Sequence, residues 1–251
     1  MRKVALVTGA GRRRIGWHVA VALAQRGYDL AIHYHTSAAE AAETVAELSG
    51  QGIQAMAVAA DLGKDDEARR MVADCLARFG RIDVLVNTAA VWIRKPLEQV
   101  TAGDVRLHFE VNALGTFLCC QHVGLAMAAQ LEGGAIVNFG DWAEARPYRD
   151  YAAYFPSKGA VTAITRSMAV ELATRNPRVR VNCILPGPAM LPADLPEAVR
   201  QAAIDGTLVK HEGSPANIAA AVLHFIENDF VTGVCLPVDG GRTIYAAGQE
   251  R

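Results

Sequence analysis

An apolar run, a glycine-rich turn and an amphipathic stretch stand in series at the start of this chain, and they restrict its fold more than any other feature. Lys3-Val-Ala-Leu-Val-Thr8 is short and apolar at successive positions, the pattern of a strand buried on both faces. The turn that follows carries Gly9, Gly11 and Gly16. Residues 17–26 then show helical apolar spacing and stop at Gly27, a fitting C-cap. A strand buried on both faces must be covered above and below by other elements. The same alternation continues along the chain. Strands are expected near 3–8, 29–34, 53–60, 82–87, 134–140, 178–185 and 234–238, and helices near 15–26, 37–50, 64–79, 102–130, 152–174 and 215–227. This order predicts an α/β chain with a doubly wound, parallel, seven-stranded sheet and helices on both faces, one domain spanning 1–251.

The first turn also has chemistry in it. A strand, a glycine turn and a helix N-terminus point free backbone N–H groups and the positive end of a helix dipole at an anion. Gly9, Gly11 and Gly16 let the backbone approach a pyrophosphate, Ile15 opens the helix, and Arg12, Arg13 and Arg14 add positive charge. The second strand ends at Tyr34 and runs into His35, Thr36 and Ser37, with Glu40 the first acid. Where the cofactor has a free ribose 2′-hydroxyl, an acid usually stands at this strand end. Its absence, with arginines and a histidine near, predicts a 2′-phosphate and so NADP(H) over NAD(H).

A second constellation lies near the middle. Tyr154 and Lys158 form a Tyr-x-x-x-Lys step, and Asp141 stands upstream at the end of the apolar run Ala135-Ile-Val-Asn-Phe-Gly. Residues four apart share one helix face. A lysine beside a phenol favours the phenolate, so the Tyr154 pKa is expected to be lowered, making it a usable proton donor near neutral pH. Asp141 is the unusual member: an ionised carboxylate only accepts hydrogen bonds. It would repel a developing oxyanion and suit a substrate presenting N–H groups. The plainer alternative is an aspartate that caps the amides of Ala143 or Glu144. Gly9, Asp61, Asn87, Asp141 and Pro186 all fall at expected strand ends, the rim where such sheets bind ligands.

With these motifs in this order, the chain resembles a short-chain dehydrogenase/reductase over nearly its whole length, which implies the Rossmann form of the sheet. Thr8 and the glycine turn up to Gly16 resemble the cofactor loop, Asp61-Leu62 the pair that holds adenine, and Asn87-Thr88-Ala89-Ala90 the Asn-Asn-Ala-Gly step. Asn112 resembles the asparagine of a proton relay, Tyr154 and Lys158 the catalytic pair, and Pro186-Gly187 the turn beside nicotinamide. The resemblance implies that Lys158 also holds the nicotinamide ribose, that Asn112 anchors a water, and that the protein is a homotetramer. Two departures stand out: Asp141 replaces a serine, and Arg14 occupies the middle glycine position. Both are similar to the pteridine reductase branch, as is His33-Tyr34-His35-Thr36-Ser37-Ala38-Ala39-Glu40-Ala41, with Thr36 where that branch can carry arginine. That likeness implies hydride transfer from NADPH to a C=N bond of a dihydropterin or dihydrofolate. Trp92 would then stack on the heterocycle, and Arg14, Asp141 and Tyr154 would meet the substrate. Reduction of ketones, quinones or 3-oxoacyl thioesters is the alternative, and a non-catalytic NADP(H) sensor is the alternative of another class.

Composition excludes several partners. The net charge is −1, which leaves no nucleic-acid footprint. No run is expected to reach membrane-spanning length, and the first residues lack a signal-peptide design. Five cysteines without C-x-x-C spacing read as reduced thiols of a cytoplasmic protein. Seven histidines show no metal-ligand spacing, so no metal is expected; His33 and His35 alternate along a strand and face opposite ways. The expected partner is a small-molecule substrate. The proline-rich segment Pro188-Ala-Met-Leu-Pro-Ala-Asp-Leu-Pro-Glu is expected to frame it.

Overall fold

A computed structural model describes residues 2–245, so the outermost positions of the expected domain lie outside the described residues. Seven strands form one parallel sheet in the order β3-β2-β1-β4-β5-β6-β7. They are β1 (Val4–Thr8), β2 (Asp29–Tyr34), β3 (Ala55–Ala59), β4 (Val84–Asn87), β5 (Gly134–Phe139), β6 (Val179–Pro186) and β7 (Cys235–Val238). All seven expected strands are present. The chain starts in the middle of the sheet, winds outward through β2 and β3, then returns to β4 on the other side of β1. That reversal leaves a crevice beyond the carboxyl ends of β1 and β4, where such sheets take ligands.

Helices cover both faces, as the unbroken apolar strands require. α1 (Ile15–Gln25), α2 (Ala38–Ser49) and α8 (Pro215–Glu227) pack on one face; α3 (Asp65–Phe79), α5 (Gly115–Ala129) and α6 (Tyr154–Ala173) pack on the other. The strand pleat divides the core accordingly. Val4 and Leu6 join Met71, Cys119, Val123 and Leu172. Ala5 and Val7 join Val19, Leu23, Val222 and Phe225. The five cysteines are all free.

Two helical expectations are corrected. The single helix expected over 102–130 is three pieces: α4 (Ala102–His108), a π-type turn (Phe109–Leu114) and α5. Asn112 sits in the π turn and explains it. Its side chain bonds to both main-chain groups of Val91 and to Ser157 Oγ, at 2.8–3.0 Å. Widening the helix by one residue lets that side chain reach across. A further helix, α7 (Glu197–Asp205), follows the proline-rich segment where none was expected. Pro196 and Glu197 at its start are an ordinary helix-opening signal. The expectation on membrane-spanning runs also changes. Ala102–Ala129 is long and apolar enough to cross a membrane by length and composition alone, but more than half of its apolar window is buried in the fold.

Candidate active site

The parallel register sets the carboxyl ends of the strands along one rim. Thr8 lies beside Asn87, Asn87 beside Asn138, and Phe139 beside Ile184. Gly9 turns off β1 with φ +67°, and a Cβ there would lie 2.8 Å from Ala89 Cα. Its N–H donates to His33 Nδ1 at 3.0 Å, while His33 Nε2 faces Ala60 O at 3.0 Å. These partners assign the proton to Nε2. Ala89 N donates to Thr8 Oγ1 at 3.1 Å, and Thr88 Oγ1 donates to Thr8 O. Gly16 lies against Thr88, and any Cβ there would strike the threonine hydroxyl. The first-turn amides of α1 have no partner within the helix, and Arg14, at the N-cap, supplies no side-chain bond to them. A bare helix N-terminus beside closely packed glycines fits a pyrophosphate.

The arginines separate once placed. Arg12 pairs with Glu40 at 3.3 Å; Arg13 pairs with Glu47 at 2.8 Å and lies 4.7 Å from the centre of the Trp17 ring. Arg14 is exposed at the mouth of α1. Gly11 lies against Tyr34 and Ser37, so the turn rests on the start of α2, beside the exposed His35 and Thr36. Asp61 accepts from Gly63 N at 3.1 Å and pairs with Lys64 at 3.3 Å, and Leu62 is buried against Gly115. Asn87 donates to Asn138 Oδ1 at 2.9 Å, and its own Oδ1 is buried without a partner among the described residues. Pro186 closes β6, and Gly187 N donates to Val238 O at 2.9 Å.

Asp141, Tyr154 and Lys158 meet at the end of β5. Tyr154 Oη donates to Asp141 Oδ2 at 2.8 Å, and Ala143 N donates to Asp141 Oδ1 at 2.8 Å. Asp141 therefore caps the short helical turn Trp142–Glu144 and also meets the tyrosine, uniting two readings that stood apart. Lys158 Nζ donates to Phe139 O at 2.7 Å and lies 6.0 Å from the centre of the Tyr154 ring. Burial holds the Lys158 pKa below its ordinary value, opposed chiefly by Asp141. Burial likewise raises the Asp141 pKa, opposed by the bonds from Ala143 and Tyr154 and by Lys158. The expected lowering of the Tyr154 pKa is reversed. Burial, then the Asp141 charge and the bond to it, hold the phenol well above its usual value. Burial disfavours the phenolate, and the neighbouring carboxylates add to it, so the lysine one turn away does not set the direction. Asn112 does not meet Lys158 through its side chain, which is committed to Val91 and Ser157.

Around these groups stand Trp92, expected from the sequence, and several neighbours that carried no usable sequence signal. Trp92 stacks on Tyr151 with 5.0 Å between ring centres, so one of its faces is already covered. Tyr148 packs edge-on against Tyr151 and Phe155 and beside Trp142, whose ring lies 4.6 Å from Arg242. His108 is buried, with its ring centre 6.1 Å from that of Tyr154. Glu144 accepts from Asp141 N at 2.9 Å. These side chains come from four separate segments, so only the fold brings them together.

Comparison with known proteins shows what the whole chain is similar to. A family model described as enoyl-(acyl carrier protein) reductase matches residues 9–243. The uncharacterised oxidoreductase YohF of Escherichia coli K12 is 33% identical over 245 residues, covering 96% of both chains. The 3-oxoacyl-[acyl-carrier-protein] reductase FabG of Staphylococcus epidermidis is 33% identical over 248 residues, 96% of this chain and 99% of that one. The crystal structure of an acetoin dehydrogenase from Enterobacter cloacae superposes with a TM-score of 0.88 at 33% identity, covering 100% of this chain and 99% of the other.

The seat of Gly9 makes a prediction about pH. Burial lowers the His33 pKa from 6.5 to about 4. A group whose folded pKa is depressed contributes stability that is full above its unfolded value, so the His33 contribution is intact above about pH 6.5 and lost as pH falls toward 4. We expect the wild type to lose about 2–3 kcal/mol from this source between pH 7.5 and 4.5. His33→Gln should lose correspondingly less over that interval, measured by urea unfolding. Equal losses in the two proteins would remove His33 as the cause.

Proposed function

The chain belongs to the short-chain dehydrogenase/reductase family, and we propose that it is an NADP(H)-dependent reductase in which Tyr154 delivers the proton. The carrying observation is that Asp141, Tyr154 and Lys158 converge on the same sheet rim as the glycine cradle. When bound, the dihydronicotinamide supplies a hydride. The first-turn amides of α1 and the turn through Gly9, Gly11, Ile15 and Gly16 hold the pyrophosphate. Asp61 and Leu62 border the adenine, and Asn87, Ala89, Pro186 and Gly187 border the nicotinamide end. Lys158 holds the ribose and stabilises the phenolate left on Tyr154, and Asn112 anchors a water that connects Lys158 to solvent. The aromatic wall of Trp92, Tyr148 and Tyr151 excludes water from the reacting atoms. We place the enzyme in the cytoplasm as a homotetramer acting on a small molecule. Exposed apolar residues on the outer helices and near β7, including Leu125, Val170 and Phe230, support association.

Two substrate classes fit, for different reasons. The names of the relatives favour a carbonyl, a ketone or a 3-oxoacyl thioester. Asp141 favours the second, a C=N bond in a pteridine. Both of its oxygens accept, one from Ala143 and one from Tyr154, the pattern of an ionised carboxylate. Such a group receives ring N–H donors and repels a developing oxyanion.

The arginine positions sharpen the cofactor expectation. Arg12 lies with Glu40 in the first turn of α2, next to the Ser37 amide end, whereas Arg13 turns to Glu47 and Trp17. Arg12→Ala should weaken NADPH binding about tenfold and leave NADH nearly unchanged, while Arg13→Ala should affect the two alike. Titration by fluorescence measures both, and an equal loss for the two cofactors in Arg12→Ala would place the 2′-phosphate elsewhere.

The substrate classes separate at Asp141. Asp141→Ser offers a hydroxyl that donates to a carbonyl oxygen. On the pteridine reading, the ratio of kcat/KM for dihydropterin over an activated ketone should fall at least about tenfold. A panel of dihydropterin, ketone, quinone and 3-oxoacyl thioester, read by NADPH oxidation, measures it. An unmoved ratio removes the pteridine reading and leaves the carbonyl one.

A further inference from the structure

Glu144 is a half-buried carboxylate near the reacting groups to which the proposed chemistry gives no part. It stands three residues beyond Asp141 and bends back, so that its Oε1 accepts the Asp141 N–H at 2.9 Å. Asp141 in turn caps the same short turn through Ala143 N at 2.8 Å. The two carboxylates thus hold one another's backbone in a reciprocal box. The space for this comes from Gly140. A Cβ at that position would collide with Glu144 Oε1 and with Leu185 Cδ2 and would lie 3.4 Å from Cys183 Sγ.

We propose that Glu144 is a positioning residue: seated in the space Gly140 leaves open, it clamps the Asp141 backbone and so aims the Asp141 carboxylate at Tyr154 Oη. This rests on the reductase reading of the site. The clamp carries a charge that titrates. Burial first, and the Asp141 charge with it, push the Glu144 pKa up to about 7, against the bond from Asp141 N and the pull of Lys158. The titratable groups around it are Asp141 at the end of β5, Cys183 on β6, Cys235 on β7, and Tyr154 and Lys158 on α6. Below about pH 7 Glu144 is neutral. Above it, a second negative charge stands beside Asp141 and opposes the loss of the Tyr154 proton. Reduction should therefore slow as pH rises through that value.

The test compares two variants of the full-length enzyme. Glu144→Gln keeps an oxygen for the Asp141 N–H but cannot ionise. It should hold kcat within about threefold of wild type at pH 6 and lose the inflection near neutral pH. Glu144→Ala removes the clamp. It should lower kcat about tenfold or more while the Kd for NADPH shifts less than about twofold. A Glu144→Gln profile that superimposes on the wild type, or a Glu144→Ala enzyme with wild-type kcat, overturns the proposal. Tyr154→Phe separates this failure from that of the reading beneath it. If Tyr154→Phe is inactive and the Glu144 variants behave as wild type, only the clamp is wrong. If Tyr154→Phe turns over normally, the reductase reading of the site falls and the clamp falls with it.

Discussion

A lysine ammonium enclosed by protein at the end of a parallel sheet is the constraint around which this site is organised. Lys158 is almost fully buried, and burial alone favours its neutral form. An uncompensated buried charge costs several kcal/mol, so the charge persists only if the surroundings answer it. Three answers are visible. The carbonyl of Phe139 accepts a hydrogen bond from the lysine, Asp141 supplies the strongest opposing charge, and Glu144 adds a second carboxylate whose ionisation depends on pH. Tyr154 donates to that aspartate, and its ring centre lies 6.0 Å from the lysine nitrogen. Burial first, and then the Asp141 charge, hold the proton on the phenol, which donates a hydrogen bond to Asp141.

The sheet delivers these groups to the cofactor cradle through a few close approaches between strand ends. Thr8 on β1 receives the amide of Ala89 just beyond β4, and Thr88 returns a bond to Thr8. Gly9 lies on Ala89, and Gly16 lies on Thr88. The carboxyl ends of β1 and β4 are thus stitched at the crevice itself, with His33 anchoring the turn from the neighbouring strand. A side chain at either glycine would separate the two strands that define the rim.

How much of this could be read from the chain alone follows from the range of the forces involved. The strands were legible because each is a continuous apolar run, and a strand covered on both faces needs nothing else. The cradle and the pairing of Tyr154 with Lys158 were legible because their geometry is local: a turn with glycines, and a four-residue helical step. The break at Asn112 was not, because α4, the π turn and α5 are similarly apolar and the cause of the break is a bond to Val91, far away in sequence. The Tyr154 pKa was misjudged for the same reason. The lysine lies one turn away on the same helix, whereas the burial and the carboxylate that raise the pKa come from the packed fold and from the segment after β5. The arginines were visible as a cluster, but their division between Glu40 and Glu47 depends on how α2 lies against the turn.

The charges at the rim carry an argument about substrate. One lysine faces two carboxylates, so with both ionised the inner site holds a surplus negative charge. A carbonyl substrate, which acquires negative charge as it is reduced, would add to that surplus. It is tolerated only while a proton stays on Asp141 or Glu144, so that a neutral carboxyl can donate as a serine hydroxyl would. A nitrogen heterocycle relieves the surplus instead, because its N–H groups donate to the carboxylate and its reduced nitrogen accepts a proton. The same residues can therefore serve either class, with the balance set by how many protons the two acids retain. In this structure both oxygens of Asp141 are accepting, and the nearest proton is already on Tyr154. The protonation of the two acids, and not the fold, is therefore what separates the two substrate classes at this rim.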